Sequence, residues 1–329
     1  MIEPTAGFVS TGQLPPLSDT ERLVAEAYSS IGQIAGGEVS GVYPALSRVS
    51  PDLFGIALVS TSGDSVSVGD ANHPFTIMSI SKPFVFALVC DRLGPDAIRD
   101  QIGVNATGRP FNSVAAVEES ADGRTNPMVN SGAIATTSLV PGASSDEKWR
   151  FIQEGLERFA GRSLPLNDEV YQSASETNFR NRGIANTLFG RNRLYANVEE
   201  ATDLYTRQCS LDVTAFDLAV MGATLANGGV NPITGDRVVS PISCHHTLVV
   251  MTVAGLYETS GDWLYEIGLP GKSGIGGGIV TVSPGKGGLG TFAPPLDGAG
   301  NSVKGQLVAR SLSRSIGLDL FLSGSAQDA

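Results

Sequence analysis

Apolar and polar positions change their spacing three times along the chain. After Ser18 and Glu21, which stand three apart as in a capping box, Leu23, Val24, Ala27 and Tyr28 recur on one helical face. Residues 1–17, with Pro15 and Pro16, predict an ordered or frayed arm before that helix. Leu53 to Val59 is mostly apolar, Ser62-Gly63-Asp64 turns the chain, and Val66 and Val68 alternate with serines, which predicts a β-hairpin. Beyond Phe75 the spacing is helical to about residue 240. It is clearest over Ser81–Leu93, Asp146–Phe159, Asp168–Leu188, Val198–Cys209 and Val213–Asn227. The chain then reads as β again over Ile275–Val282, a turn at Pro284-Gly285-Lys286-Gly287-Gly288, and Leu289–Phe292. A last amphipathic segment, Ser302–Ile316, reads as a helix.

The order is helix, hairpin, helical block, helix, hairpin, helix. A chain that leaves a sheet, builds a helical lobe and returns places a cleft between the two. The expectation is an α/β (α+β) fold in one 329-residue unit, an antiparallel sheet flanked by helices with an inserted all-helical lobe. The α/β lobe would span about 18–75 plus 240–325, and the helical lobe about 76–239.

Composition narrows the function classes. With 41% hydrophobic and 17% charged residues the chain can fill a core. A net charge of −11, with no basic stripe, disfavours a nucleic-acid partner. Met1 to Leu17 shows no basic region followed by an apolar run, and no stretch approaches the ~20 apolar residues of a membrane span, so neither a secretory signal nor a membrane partner is expected. Cys90, Cys209 and Cys244 are widely spaced and odd in number, which reads as reduced thiols in a cytoplasmic protein.

The sharpest chemical signal is Met78-Ser79-Ile80-Ser81-Lys82-Pro83. On a helix, residues three apart lie one turn along and ~60° around the axis, so the Lys82 amine can reach the Ser79 hydroxyl. Pro83 is tolerated only near a helix start, which puts Ser79 at the positive end of the helix dipole beside free N–H groups. Ser-x-x-Lys alone recurs by accident on helix surfaces. Here the flanks Phe75, Ile77, Met78, Phe84, Val85, Phe86, Leu88 and Val89 make the helix apolar nearly all round. A lysine buried among them is driven toward its neutral form, which is a competent base. Further along, Lys272-Ser273-Gly274 precedes the second β segment. Together the two elements resemble the signature of serine β-lactamases and penicillin-binding enzymes.

A closer resemblance lies in Asn126-Pro127-Met128-Val129-Asn130-Ser131-Gly132-Ala133-Ile134, which is similar to a segment of the glutaminase family. Pro51-Asp52-Leu53-Phe54-Gly55, Leu225-Ala226-Asn227-Gly228-Gly229, Leu269 to Gly274 and Asn301-Ser302-Val303-Lys304-Gly305 follow in that family's order. The resemblance covers about residues 20 to 318. It implies a serine β-lactamase-like fold and hydrolysis of the L-glutamine side-chain amide through a serine acyl-enzyme. No metal or cofactor would be needed, and the chain would assemble as a homodimer or tetramer. Ser79 would be nucleophile and Lys82 its base. Asn130 and Asn181 would contact the amino-acid end of the substrate, and Tyr205 and Tyr257 would line the pocket. Tyr257 would also shuttle a proton, and Ile275 would act through its backbone N–H. Two asparagines and two phenols suit a small polar zwitterion.

Two positions depart from the resemblance. Ala174 follows Ser173 where the family has Glu facing the substrate's ammonium, and Glu176, two residues on, falls ~200° around a helix. Val42-Tyr43-Pro44 stands for the family's Tyr-Ile-Pro, so Val42 occupies the tyrosine position. These departures leave open a related serine amidase with another amide specificity, or an inactive glutamine-binding relative. The β-lactamase Ser-x-Asn element is replaced by Asn-Ser-Gly. Cys244-His245-His246 on one helical segment points its side chains apart and reads poorly as a metal site. His73, His245 and His246 find no nucleophile elbow for a serine triad. Gly274–Gly278 reads as close packing beside the site rather than a phosphate loop.

Overall fold

A computed structural model describes residues 13–322 of the chain. The arm expected over 1–17 and the tail beyond 322 lie mostly or wholly outside the described residues. Five strands form one antiparallel sheet: β1 (Gly55–Ser60), β2 (Ser65–Gly69), β5 (Gly271–Ser273), β6 (Gly278–Ser283) and β7 (Gly287–Phe292), in the order β2-β1-β7-β6-β5. β3 (Phe75–Thr76) and β4 (Asp212–Val213) make a separate two-stranded pair. Each register follows the apolar alternation: Ile56 pairs with Val68, Leu58 with Val66, and Val280 with Gly290.

β1 is buried at every position, whereas edge strand β2 alternates exposed and half-buried residues. Successive side chains of a strand point to opposite faces, and the sheet therefore feeds two cores. Ile56, Leu58, Ile279 and Leu289 join the terminal helices Leu17–Gly32 and Val303–Ser315 through Val24, Ala27, Ile31, Val308 and Leu312. Ala57, Val59, Val280, Val282 and Phe292 join the helices of the middle of the chain. There the helix Ala215–Ala226 lies directly on the sheet. A Cβ at Gly288 or Gly290 would run into the backbone of Ala219 or Ala215, so only glycine lets that helix come so close.

Helix limits follow their caps. Ser144, Asn197 and Ser302 cap Ser145–Ala160, Val198–Cys209 and Val303–Ser315. Thr214 and Asp217 form a reciprocal capping box before Ala215–Ala226. The expected helices over Ser81–Leu93 and Val198–Cys209 have these same limits.

Other expectations are corrected. Ser18 caps nothing, because the first helix begins at Leu17, and the Pro16 carbonyl takes the Asp19 and Thr20 N–H groups. The span Asp168–Leu188 is two helices, Asp168–Thr177 and Phe179–Gly190, separated at Asn178, whose backbone leaves helical geometry with ψ 38°. The β segment expected over Ile275–Val282 is strand only from Gly278. Lys272 and Ser273, expected just ahead of a strand, lie inside β5. Helix Asn130–Ser138 brings Asn130 to the site, and Pro241–Ala254 and Ser260–Ile267 are further helices of the fold.

The helix Ser81–Leu93 runs through the larger core, buried from Ser81 to Cys90. The one cation of that buried stretch, Lys82, is therefore held inside the protein.

Candidate active site

A single turn of 3₁₀ helix, Met78–Ile80, delivers Ser79 to the foot of the Ser81–Leu93 helix. Met78 adopts φ 48°, a left-handed conformation costly for a residue with a Cβ. Tyr257 adopts φ 56°, so two of the three left-handed non-glycine residues among the described ones flank this site. The segment after β5 packs tightly on the serine's turn. A Cβ at Gly274 would lie 3.0 Å from the Ile77 carbonyl oxygen, and one at Gly276 2.7 Å from that of Thr76. The Gly274–Gly278 run therefore serves close approach.

Lys82 is 2% exposed. Burial pulls its pKa down to about 7, opposed by the nearby Cys209 thiol. Its Nζ donates to Asn130 Oδ1 at 2.7 Å and to the Met128 carbonyl at 3.3 Å. Neither bond goes to Ser79. A neutral amine has two N–H donors and one lone pair. Both donors are thus committed, and the lone pair is left for a proton.

Asn130 is the hub of the polar cluster. Its Oδ1 also accepts from the Tyr205 hydroxyl at 3.3 Å, and its Nδ2 donates to Asn181 Oδ1 at 2.9 Å. The Lys82 amine and the Tyr205 hydroxyl both donate to Oδ1, which sets the Asn130 amide with its oxygen toward them. Burial raises the Tyr205 phenol well above its ordinary pKa. Tyr257 donates to the Ser273 carbonyl at 3.1 Å. Burial raises its pKa too, against hydrogen bonding to Ser79 and Ser273. Fully buried Lys272 lies 4.3 Å over the Tyr257 ring and donates to the carbonyls of Gly255 and Ser273. Its pKa falls well below normal, through burial first and then repulsion from Lys82.

The backbone N–H groups of Ser79 and Ile275 have no hydrogen-bond partner among the described residues. They are available to an oxyanion. Ser79, Asn130, Asn181, Tyr205 and Ile275 all line one cavity of ≈ 160 Å³. Tyr257 is not in its lining and sits behind Phe111, with ring centroids 4.3 Å apart. Sequence reasoning missed Phe111, Asn112, Thr177 and Cys209 as lining residues. They come from loops and helix ends whose sequence carries no chemical pattern. Arg180 and Asn178 stood next to a recognised asparagine and could have been found by that proximity.

A larger cavity of ≈ 590 Å³ lies elsewhere, among Arg99, Arg109, Glu119, Asp122 and Arg124. Its charges are largely spent on one another, Arg109 on Glu119 and Arg124 on Asp122, so volume does not locate the chemistry. Cys244, His245 and His246 sit on the Pro241–Ala254 helix. No group of three or more His, Cys, Asp or Glu among the described residues could hold a metal ion. No helix among them is long and apolar enough to cross a membrane.

An antiparallel sheet between terminal helices and a helical lobe, with Ser-x-x-Lys at a buried helix start facing a Lys-Ser-Gly strand, defines the serine β-lactamase-like class. Within it, the sequence profile described as Glutaminase matches residues 37–321. The chain belongs to the glutaminase family. It is 68% identical over 316 residues to Glutaminase 2 of Yersinia pestis, covering 96% of this chain and 93% of that one. It is 49% identical to a glutaminase of Brucella canis, covering 92% and 96%. Among solved structures, a probable glutaminase, ybaS, superposes with a TM-score of 0.92 at 42% identity, covering 94% of this chain and all of that one. A structure of Mglu in its glutamate form superposes at 0.87 and 38% identity, covering 93% and 70%.

Proposed function

We propose that the chain hydrolyses the side-chain amide of L-glutamine to L-glutamate and ammonia, with Ser79 as nucleophile and Lys82 as its base. Glutaminase activity follows from family membership. The roles of the residues are read from their chemistry. Neutral Lys82 takes the Ser79 proton, and Ser79 Oγ bonds to the amide carbon. The N–H groups of Ser79 and Ile275 hold the oxyanion. The C–N bond breaks, and the leaving nitrogen takes a proton from the Lys82–Tyr257 side and departs as ammonia. Water then attacks the ester, returns a proton to Ser79 and frees glutamate. Asn130, Asn181 and Tyr205 hold the amino-acid end.

The observation that carries this reading is a buried amine, its pKa pulled down to about 7 by burial, whose hydrogen bonds go to Asn130 and Met128 and leave room for it to take a proton. Ammonia release by Ser79→Ala tests it. A loss of about a thousandfold or more, in a variant with wild-type circular dichroism, is expected. Equal rates would refute it.

Three finer points share this status. The chain works as one unit, with an α/β lobe of about 18–75 plus 240–325 around a helical lobe of about 76–239. Cys90, Cys209 and Cys244 are free thiols, which suits the reducing cytoplasm. A homodimer or tetramer is checked by light scattering.

A further inference from the structure

The lining of the Ser79 cavity holds no carboxylate among the described residues. Arg180 is the one charged residue in the lining among the described residues, and its Nε donates to the Asn112 carbonyl at 2.9 Å. Part of the wall is apolar. Leu46, Met78 and Val170 form a buried cluster with Tyr43, Ala45 and Ile275 packed on it. Tyr43, Met78, Ile275 and the 3%-exposed Ala174 present this wall to the cavity.

The nearby carboxylates lie outside the lining, although Glu258 is close enough to act on Tyr257 and Lys272. Glu176 is exposed on the same helix as Ala174 and outside the lining. Exposed Glu258 accepts the Phe111 N–H at 2.7 Å. Asp203 accepts from the Tyr171 hydroxyl at 2.5 Å and pairs with Arg207 at 2.8 Å, in a separate cavity behind Asn178 and Thr206.

A free α-ammonium group in this cavity would lose water, face a guanidinium and an apolar wall, and find no carboxylate in the lining to contact directly. Each of these is unfavourable for a cation. A carboxylate on the same carbon has Arg180, asparagine amides and a phenol to meet it. We propose that the cleft favours terminal carboxamides with a free carboxylate whose α-carbon bears an uncharged group, such as hydrogen or acylamino. Glutamine would be hydrolysed as the weaker member of a wider class. The inference rests on the Ser79–Lys82 reading of this cleft and uses the same bond changes, with ammonia leaving and water entering.

The test is ammonia release by the full chain at neutral pH from L-glutamine, N-acetyl-L-glutamine and glutaramate, compared as kcat/KM. The expected result is that at least one uncharged analogue equals or exceeds glutamine. Ala174→Glu should then move the ratio toward glutamine by about tenfold or more, while Ala174→Gln, similar in size, should not. Glutamine above both analogues in the wild type overturns the proposal, as does an equal shift by the Gln variant. If either variant fails to fold, the wild-type ratio decides alone. Ser79→Ala separates the two readings: its retention of wild-type ammonia release would sink the catalytic assignment whatever the selectivity.

Discussion

Lys82 Nζ lies 2.7 Å from Asn130 Oδ1, a neutral acceptor inside the core. The carbonyl oxygen fixes the amine in place without adding the full charge that would keep it protonated. Asn130 thereby acts on Lys82 by position, and the pH response of the enzyme should report on that pair.

In the proposed mechanism Lys82 reacts in its neutral form, so kcat/KM should rise with pH through about 7 and level above it. Asn130→Asp puts a carboxylate against the amine and favours its charged form. The acid limb should move up by about one unit or more, with activity at neutral pH falling about tenfold. An unmoved limb in a pH–rate profile would show that another group sets it.

Lys82→Met should abolish turnover while changing how stability depends on pH. Folded Lys82 releases its proton near 7, whereas the unfolded chain keeps it to about 10.5. Across that window the unfolded state binds more protons, so wild-type stability gains from rising pH, on the order of a few kcal/mol in total. The methionine variant lacks this gain. Denaturant melts at several pH values should show the wild type gaining on the variant as pH rises. Parallel curves would contradict the buried-amine account.

Tyr257→Phe removes the hydroxyl that donates to the Ser273 carbonyl on β5 and leaves the ring between Phe111 and Lys272. If the phenol moves a proton, kcat should drop about a hundredfold or more with KM little changed. A rise in KM alone would assign the hydroxyl to binding instead.

Gly290→Ala inserts a Cβ into the Ala215 carbonyl, where the helix Ala215–Ala226 lies on β7. Backbone cannot retreat as a flexible side chain can, so the variant should lose ~3 kcal/mol of stability. Gly298→Ala, where a Cβ meets open space, is the control for glycine replacement as such. Equal melting of the two variants would count against the close-contact explanation.

How much of this could be read in advance depended on whether physics left a periodic trace. The spacing of apolar positions made helices such as Val198–Cys209 legible, but their caps were not read: Thr214 and Ser302, expected inside helices, cap them from outside, and Val213 belongs to β4. Ser79 and Lys82 were legible because a cation in an apolar helix demands a reason. The break at Asn178 was not, since Thr177-Asn178-Phe179 contains neither Gly nor Pro; there the buried Asn178 amide donates to Thr206 Oγ1, 28 positions away. Helix Asn130–Ser138 is buried at every position and built of small residues, so it has no polar face to mark a period. Two- and three-residue strands such as β3 and β5 are too short to show alternation. The direction of the Lys82 amine, toward Asn130 rather than Ser79, depends on a residue 48 positions away and has no local signal.

The sheet order sets β1 against β7, and the turn after β5 against the serine's own turn. Ser79 and Lys82 emerge from the ribosome long before Ile275 does. In the proposed mechanism a growing chain thus carries its reactive pair for nearly two hundred residues with half of the anion cradle still unmade. Turnover should appear only once β5, β6 and β7 have been threaded back beside β1, which makes activity itself a readout of sheet closure.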